Sequence, residues 1–330
     1  MFSVDYIGSK KKLIKYIDNE LDKLSITKDS KVADVFAGTG VVSHHILTKY
    51  NANVISNDSM YYAYIINCGK LTKYTEKELE FINRKIDKYN KLKPLKSYVN
   101  EHFAPPNRMY FTNNNAMMID AIRTQLEKDK STFNIKIYNC LLASLLSACD
   151  KVSNTSVVYA AYLKDFKQSA TKDLVLNKIN SKDIVSKSAK IFNNDAFDLI
   201  KNKSFDVVYL DPPYNSRQYE DNYHVLNTIA KYDNFELHGK TGLPSILKKS
   251  VFSSKTQVYN GFKELITMIK SKYIVLSYND EGLLSLKDLK TILEDKGVVK
   301  IKKIKYKKFK AQERVTRDFV TEYILTIKTK

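Results

Sequence analysis

KVADVFAGTGVVSHHILTKY, residues 31–50, decides the fold. Lys31 to Phe36 form a short apolar run of strand character, Ala37-Gly38-Thr39-Gly40 interrupts it, and Val41 to Tyr50 reads as a helix. A strand, a glycine turn and a helix in succession make a ligand cradle. Glycine lets the backbone pass close to a ligand, and a helix N-terminus offers free N–H groups and a partial positive charge. The next strand-like segment, ANVIS at 52–56, ends in Asn57-Asp58 and so sets a carboxylate at a second strand end, 18 residues beyond Gly40. An acid there can bind both ribose hydroxyls. A dinucleotide site needs a third glycine at position 43, which is Ser43, so a nucleoside without a pyrophosphate fits better than NAD.

A second apolar run, Phe205 to Leu210, breaks into Asp211-Pro212-Pro213-Tyr214. A buried strand ending in a carboxylate, a rigid turn and an aromatic ring suits a flat base that carries an amine. Asp211 can accept one N–H of the amine and the Pro212 carbonyl the other, because proline keeps its acceptor while lacking a donor. Tyr214 offers a face for stacking. A double proline alone would mark only a turn; the flanking Asp and Tyr favour a functional reading.

Together these residues resemble the amino-group DNA methyltransferases that use S-adenosyl-L-methionine, specifically the D12 class of N6-adenine enzymes in which the cofactor motif precedes the catalytic one. Tyr6-Ile7-Gly8-Ser9-Lys10 is similar to that class's N-terminal cofactor segment, Asp34 to Gly40 to its glycine loop, and Asn57-Asp58 to its ribose-binding acid. Asn194-Asp195-Ala196-Phe197 resembles the segment that holds the cofactor's adenine. DPPYNSRQY (211–219), NYHVLNTI (222–229) and LSYND (276–280) look most like adenine methyltransferases of type IIS restriction systems. The resemblance covers nearly the whole chain and is silent about the DNA sequence recognised.

It implies a Rossmann-like α/β methyltransferase: a mostly parallel, doubly wound sheet, a closing antiparallel strand pair and a helical insertion. The implied catalytic residues are Asp211, Pro212, Pro213 and Tyr214. The implied cofactor residues are Tyr6, Lys10, Asp34, Phe36, Ala37, Gly38, Thr39, Gly40, Asn57, Asp58, Asp195, Ala196 and Phe197, with Asp34 towards the methionine ammonium and Phe36 and Phe197 as pocket walls or core. The implied partners are double-stranded DNA and a cognate restriction endonuclease. Asp before Pro-Pro-Tyr and the motif order favour adenine over N4 of cytosine. RNA adenine methylation, and a non-catalytic nucleic-acid-binding protein of this fold, are the other readings the residues leave open; retention of Gly38, Gly40, Asp58, Asp195 and the full Asp211 to Tyr214 set weighs against the last.

Composition agrees with an anionic partner. The net charge is +19, although only six of the 55 basic residues are Arg (84, 108, 123, 217, 314, 317), and lysine enrichment can also follow from AT-rich coding. Cys68, Cys140 and Cys149 lie in apolar helical runs without CxxC spacing, which argues against a disulfide framework or zinc site, and none follows a proline, which disfavours C5-cytosine chemistry. The five histidines show no ligand spacing, so no metal is expected. No window approaches the roughly 20 apolar residues of a membrane span, which predicts a soluble, cytoplasmic protein.

Residues 1–70 and 188–330 are expected to form the catalytic domain, and 71–187, charged and helical in periodicity, an insertion that projects near the strand C-terminal ends as a candidate DNA-recognition region. Helices are predicted over Ser9 to Leu24, Met60 to Lys70, Met109 to Leu126, Ile135 to Cys149, Gln257 to Lys270 and Leu284 to Glu294, and strands over Ala189 to Phe192 and Tyr273 to Tyr278. Lys300 to Lys310, with seven lysines and no acid, and Phe319 to Ile327 form the terminal strand pair. Candidate DNA contacts are Arg108, Arg123, Arg217, Tyr219, Lys240 and Lys248, with Asn154, Thr155, Ser156, Tyr159, Tyr162 and Lys164. For Arg108 and Arg123 helix-surface ion pairing, and for Tyr159 and Tyr162 core packing, are at least as good a reading. Residues 234–255, with Gly239, Gly242 and Pro244, read as a loop.

Overall fold

The computed structural model describes Phe2 and residues 4–216, 219–245, 250–307 and 319–330; Arg217 and Lys248 lie outside the described residues. Its strands are β1 (Lys31–Asp34), β2 (Asn53–Asn57), β3 (Lys190–Phe192), β4 (Ser204–Leu210), β5 (Leu237–His238), β6 (Leu243–Pro244), β7 (Lys270–Asn279), β8 (Gly297–Lys307) and β9 (Phe319–Thr329). Seven of them form one sheet in the order β3-β2-β1-β4-β7-β9-β8. The first five run parallel; β9 is antiparallel to β7, and β8 to β9. This is the mostly parallel sheet with a closing antiparallel pair that the sequence predicts.

The helices are α1 (Ile14–Leu21), α2 (Val41–Tyr50), α3 (Tyr61–Lys70), α4 (Glu76–Tyr89), α5 (Tyr98–Phe103), α6 (Asn113–Asp129), α7 (Ile135–Lys151), α8 (Ala196–Ile200), α9 (Tyr219–Lys231), α10 (Val258–Met268) and α11 (Leu286–Glu294). The chain divides into two compact units. The sheet unit comprises Lys10–Ser59, Ala189–Tyr219 and Lys248–Lys330. Because strand side chains alternate, Ala33, Val208, Leu210, Ile274, Leu276, Leu325 and Ile327 share one face and pack under α8, α10 and α11 through Leu199, Phe262, Leu265, Leu289 and Leu293. The opposite face carries α1 against β9 and α2 against β2.

The helical unit comprises Met1–Ser9, Met60–Ser188 and Glu220–Leu247. Besides 71–187 it takes in α3, which packs along α7, and the greater part of α9. Ile137 to Cys149 of α7 are buried without interruption, so α7 is the axis around which α3, α4 and α6 are arranged. Helix α4 lies within the expected helical insertion although its bounds were not given, and its signals are local: Thr75 and Glu78 form a reciprocal capping box, and Leu79, Ile82, Ile86 and Tyr89 line its buried side. Within the expected loop 234–255, β5 and β6 pair antiparallel, and Arg108 sits against Gly242, whose φ of +73° and lack of a side chain allow the approach.

Candidate active site

The order of the parallel strands reverses beside β1: β2 and β3 continue to one side, β4 and β7 to the other. A crevice at the strand C-terminal ends is the ligand site such sheets offer. Asp34, the last residue of β1, pairs in register with Tyr209 of β4, and the Val35 N–H donates to the Tyr209 carbonyl at 3.2 Å. The glycine turn and Asp211 therefore leave adjacent strands side by side.

The turn is closed by the Gly40 N–H on the Ala37 carbonyl at 2.8 Å, with Gly38 at φ +52° and Gly40 at φ +70°. Both are left-handed, where any other residue is strained. From the neighbouring strand, the Asp58 carboxylate accepts the Gly38 N–H at 2.8 Å, and the Asn57 carbonyl accepts that of Ala37 at 2.8 Å. Asn57 also ties the turn to the 193–197 segment. Its amide donates to the carbonyls of Val35 and Asn194, and its oxygen accepts the Asn194 N–H. Asn193 in turn donates to the Asp58 carbonyl at 2.8 Å. Asp195 caps α8 by accepting the Phe197 N–H at 2.9 Å, and Ala196 is buried. Thus Ala37, Gly38, Thr39, Gly40, Asn57, Asp58, Asp195, Ala196 and Phe197 belong to one neighbourhood.

Asp34 is 1% exposed. One carboxylate oxygen accepts the N–H and the hydroxyl of Ser43 in α2, and the Ser43 hydroxyl also meets that of Ser56. The other oxygen is buried without a hydrogen-bond partner among the described residues. Burial, together with the negative charges of Asp211 and Asp58, pushes the carboxyl up to about 7 against the pull of Ser43. An unsatisfied acceptor beside a glycine turn suits a cationic group such as an ammonium.

Asp211 faces Lys10, whose ammonium stands 2.8 Å from its carboxylate; the lysine is 4% exposed and the aspartate 16%. Burial raises the Asp211 carboxyl and Lys10 opposes the rise. The same ammonium lies 5.5 Å from the centre of the Tyr214 ring, which meets Tyr278 edge-on at 5.7 Å. The Tyr214 carbonyl accepts the Leu283 N–H, fixing the turn after Pro213. Lys10 thus serves Asp211 and Tyr214 directly, a placement its expected cofactor role did not foresee. Tyr6 belongs to the helical unit, where its ring stacks on Tyr223, which stacks on Tyr62.

Several contributors were missed by sequence reading. Ser43 was noted only as the absent third glycine, and it is the partner of Asp34. Phe252 forms an aromatic wall with Phe36, edge-on at 5.2 Å, and Phe197, stacked at 5.9 Å. Its position, far along the chain from either ring, carried no local signal.

The expected DNA contacts in the helical unit separate into kinds. Arg123 is 1% exposed and donates to the carbonyls of Ile229 and Ala230 while pairing with Glu127, so it is an internal tie and its reading as a phosphate contact is corrected: no face of it is free for a duplex. Arg108 donates to the carbonyls of His102, Gly239 and Lys240, holding the β5–β6 turn, whereas the Lys240 side chain is exposed. Asn154, Thr155 and Tyr159 are buried, which assigns them to the core. Among the described residues no cluster of His, Cys, Asp or Glu could hold a metal ion, and no helix is long and apolar enough to cross a membrane.

Residues 6–292 match the family model of D12 class N6 adenine-specific DNA methyltransferases. The chain is similar to the type II methyltransferase M.NlaIII of Neisseria lactamica, 38% identical over 328 residues that cover 96% of this chain and 95% of that one. It is 39% identical over 329 residues to the type II methyltransferase M.CviAII of Paramecium bursaria Chlorella virus 1, covering 99% of each. Against the type II methyltransferase M.FokI of Planomicrobium okeanokoites it is 36% identical, covering 98% of this chain and 52% of that one. With its glycine turn and its Asp-Pro-Pro-Tyr turn on neighbouring strands, the chain belongs to the D12 class N6 adenine-specific DNA methyltransferases.

Proposed function

We propose that the chain transfers a methyl group from S-adenosyl-L-methionine to N6 of an adenine in double-stranded DNA, as the modification enzyme of a type II restriction-modification system. The observation that carries this reading is the emergence of the glycine turn and Asp211 from the paired strands β1 and β4. The names of the relatives support the restriction-modification setting, and with it a cognate endonuclease and a cytoplasmic location.

The residues at hand fit the methyl donor. Asp34 would hold its ammonium through the unpartnered oxygen, Asp58 its ribose, and Asp195 with the Ala196 N–H its adenine, while Phe36, Phe197 and Phe252 would wall the pocket. When bound, the donor supplies a sulfonium-activated methyl carbon. The target adenine must leave the stack, because N6 is unreachable inside a duplex. Tyr214 would stack on it, and the Asp211 carboxylate and Pro212 carbonyl would accept its two amino hydrogens. Those bonds localise the N6 lone pair, which is otherwise delocalised into the ring. The donor would supply its methyl group to N6 held there, and the proton that N6 then sheds would pass to the Asp211 carboxylate that accepts its hydrogen bond. Alignment and charge placement supply the acceleration. The helical unit would carry sequence recognition, with Lys240 as a phosphate contact.

Incubation with labelled donor and duplex DNA is expected to yield N6-methyladenine. Label appearing only in RNA, or only as N4-methylcytosine, overturns the substrate assignment. In cells expressing the protein, modified adenines are expected at one short sequence; modification scattered over unrelated sequences removes the restriction-modification reading.

A further inference from the structure

Glu322, on β9, lies beyond residues 6–292, which match the family model, and the proposed reaction does not use it. It is 7% exposed, and one of its oxygens is buried without a hydrogen-bond partner among the described residues. Strand register shows where it points. Asp34 pairs with Tyr209, Tyr209 with Val275, and Asn279 with Glu322. Since alternate residues of a strand share a face, Asp34, Tyr209, Asp211, Ser277, Asn279 and Glu322 make one polar row across four strands. The Tyr209 hydroxyl meets that of Ser277 at 2.8 Å, which confirms the shared face.

Three buried carboxylates lie in this row, of Asp34, Asp211 and Glu322; the Lys10 ammonium stands 2.8 Å from Asp211 and its charge also acts on Glu322. The groups facing Glu322 are Asn279 and Asp280 from β7 and its end, Tyr209, Asp211 and Tyr214 from β4 and its turn, and Lys10 from the turn before α1. From β8 come Ile304, directly opposite, and Lys302, which is drawn to Glu20 of α1 at 3.6 Å. Burial holds the Glu322 carboxyl above its ordinary range; Lys10 attracts it, Asp211 repels it, and Asn279 donates to it. An ammonium has three donors, and Asp211 cannot give all its acceptor capacity to Lys10 and still receive a target amine.

We propose that Glu322 is a positioning residue of the transfer, sharing Lys10 with Asp211 so that the Asp211 carboxylate keeps an acceptor for the target amine. The inference rests on the proposed role of Asp211. In the isosteric variant Glu322→Gln, Lys10 turns wholly to Asp211 and the like charge beside Asp211 is gone. The expected result is a kcat lower by about tenfold with the donor KM within about twofold, and an acidic limb of kcat/KM for DNA moved to lower pH. Glu322→Asp, which keeps the charge, should restore part of kcat and the original limb. An unchanged kcat, or a lowered kcat with the acidic limb unmoved, overturns the proposal. Should the Gln variant fail to fold, carboxyl-carbon NMR of the wild type decides: Glu322 and Asp211 titrating as a coupled pair supports it, and independent titration overturns it. A wild-type protein that methylates no adenine in DNA removes the reading beneath; an active enzyme indifferent to Glu322 removes only this inference.

Discussion

Two aspartates at the ends of neighbouring strands have different work. In the proposed reaction Asp211, paired with Lys10 beside Tyr214, faces the target amine, whereas Asp58, which accepts the Gly38 N–H, would support the turn that binds the donor. Asp211→Ala should lower kcat by about a thousandfold or more while leaving the donor dissociation constant within about threefold, because in the proposed reaction the carboxylate faces the amine and not the donor. Calorimetry and single-turnover kinetics separate the two, and lost donor affinity with retained turnover reverses the assignment. Asp58→Ala removes the acceptor of the Gly38 N–H and, in the proposed site, the ribose ligand, so donor binding should weaken by about ten- to a hundredfold. An unaltered donor affinity takes Asp58 out of the site. Asp211, Gly38 and Asp58 were legible in the sequence because each stands at a strand end inside a short motif. Ser43 was not, because only the return of α2 over β1 brings its hydroxyl to Asp34, and Phe252 and Glu322 were not, because packing and strand pairing bring them from distant segments.

Helix α6 shows how an element can mislead. Arg123 was legible only as a charge, and charges are ordinarily solvated. Yet Ile119, Ile122 and Leu126 surround it at helical spacing, which places position 123 within the buried stripe. There it donates to the carbonyls of Ile229 and Ala230 in the last turn of α9, groups that a helix leaves without internal partners. Arg123→Met should destabilise the protein by about 3 kcal/mol, since two buried carbonyls lose their partner and Glu127 is left with Tyr138 and Lys130. It should leave the salt dependence of DNA binding unchanged. Lys240→Ala, at an exposed side chain, should do the reverse, lowering the salt slope by about one unit with little change in melting temperature. Thermal melts and binding titrations across salt concentrations test the pair, and the opposite pattern exchanges the two roles.

Across the whole molecule, buried carboxyls set how stability follows pH. Burial above all pushes Asp34 and Asp150 up to about 7 and Asp120 to about 6. A carboxyl raised on folding contributes its stability in full below about pH 4 and loses it as pH rises through the folded value. Asp18 has the opposite sign. Burial raises it, but hydrogen bonds from Lys49, His45 and Tyr50 bring it to about 2, so its contribution is present above about pH 4 and lost as pH falls through 2. Asp150→Asn should therefore narrow the difference in melting temperature between about pH 5 and about pH 8, and an unchanged difference excludes Asp150 as a source. The class of fold and the crevice were legible at this scale because strand, turn and helix repeat in short segments. The assignment of α3 and most of α9 to the helical unit was not, since only packing along α7 and its neighbours decides it.

The strand order carries a consequence for synthesis. β9 lies between β7 and β8, although the ribosome makes β8 first. Until residues 319–329 emerge, β8 has nothing to pair with and β7 keeps one edge bare. A waiting strand is an invitation to aggregate, and the lysines at 300, 302, 303 and 305 keep the early-made one in water until its late-made neighbour slides in.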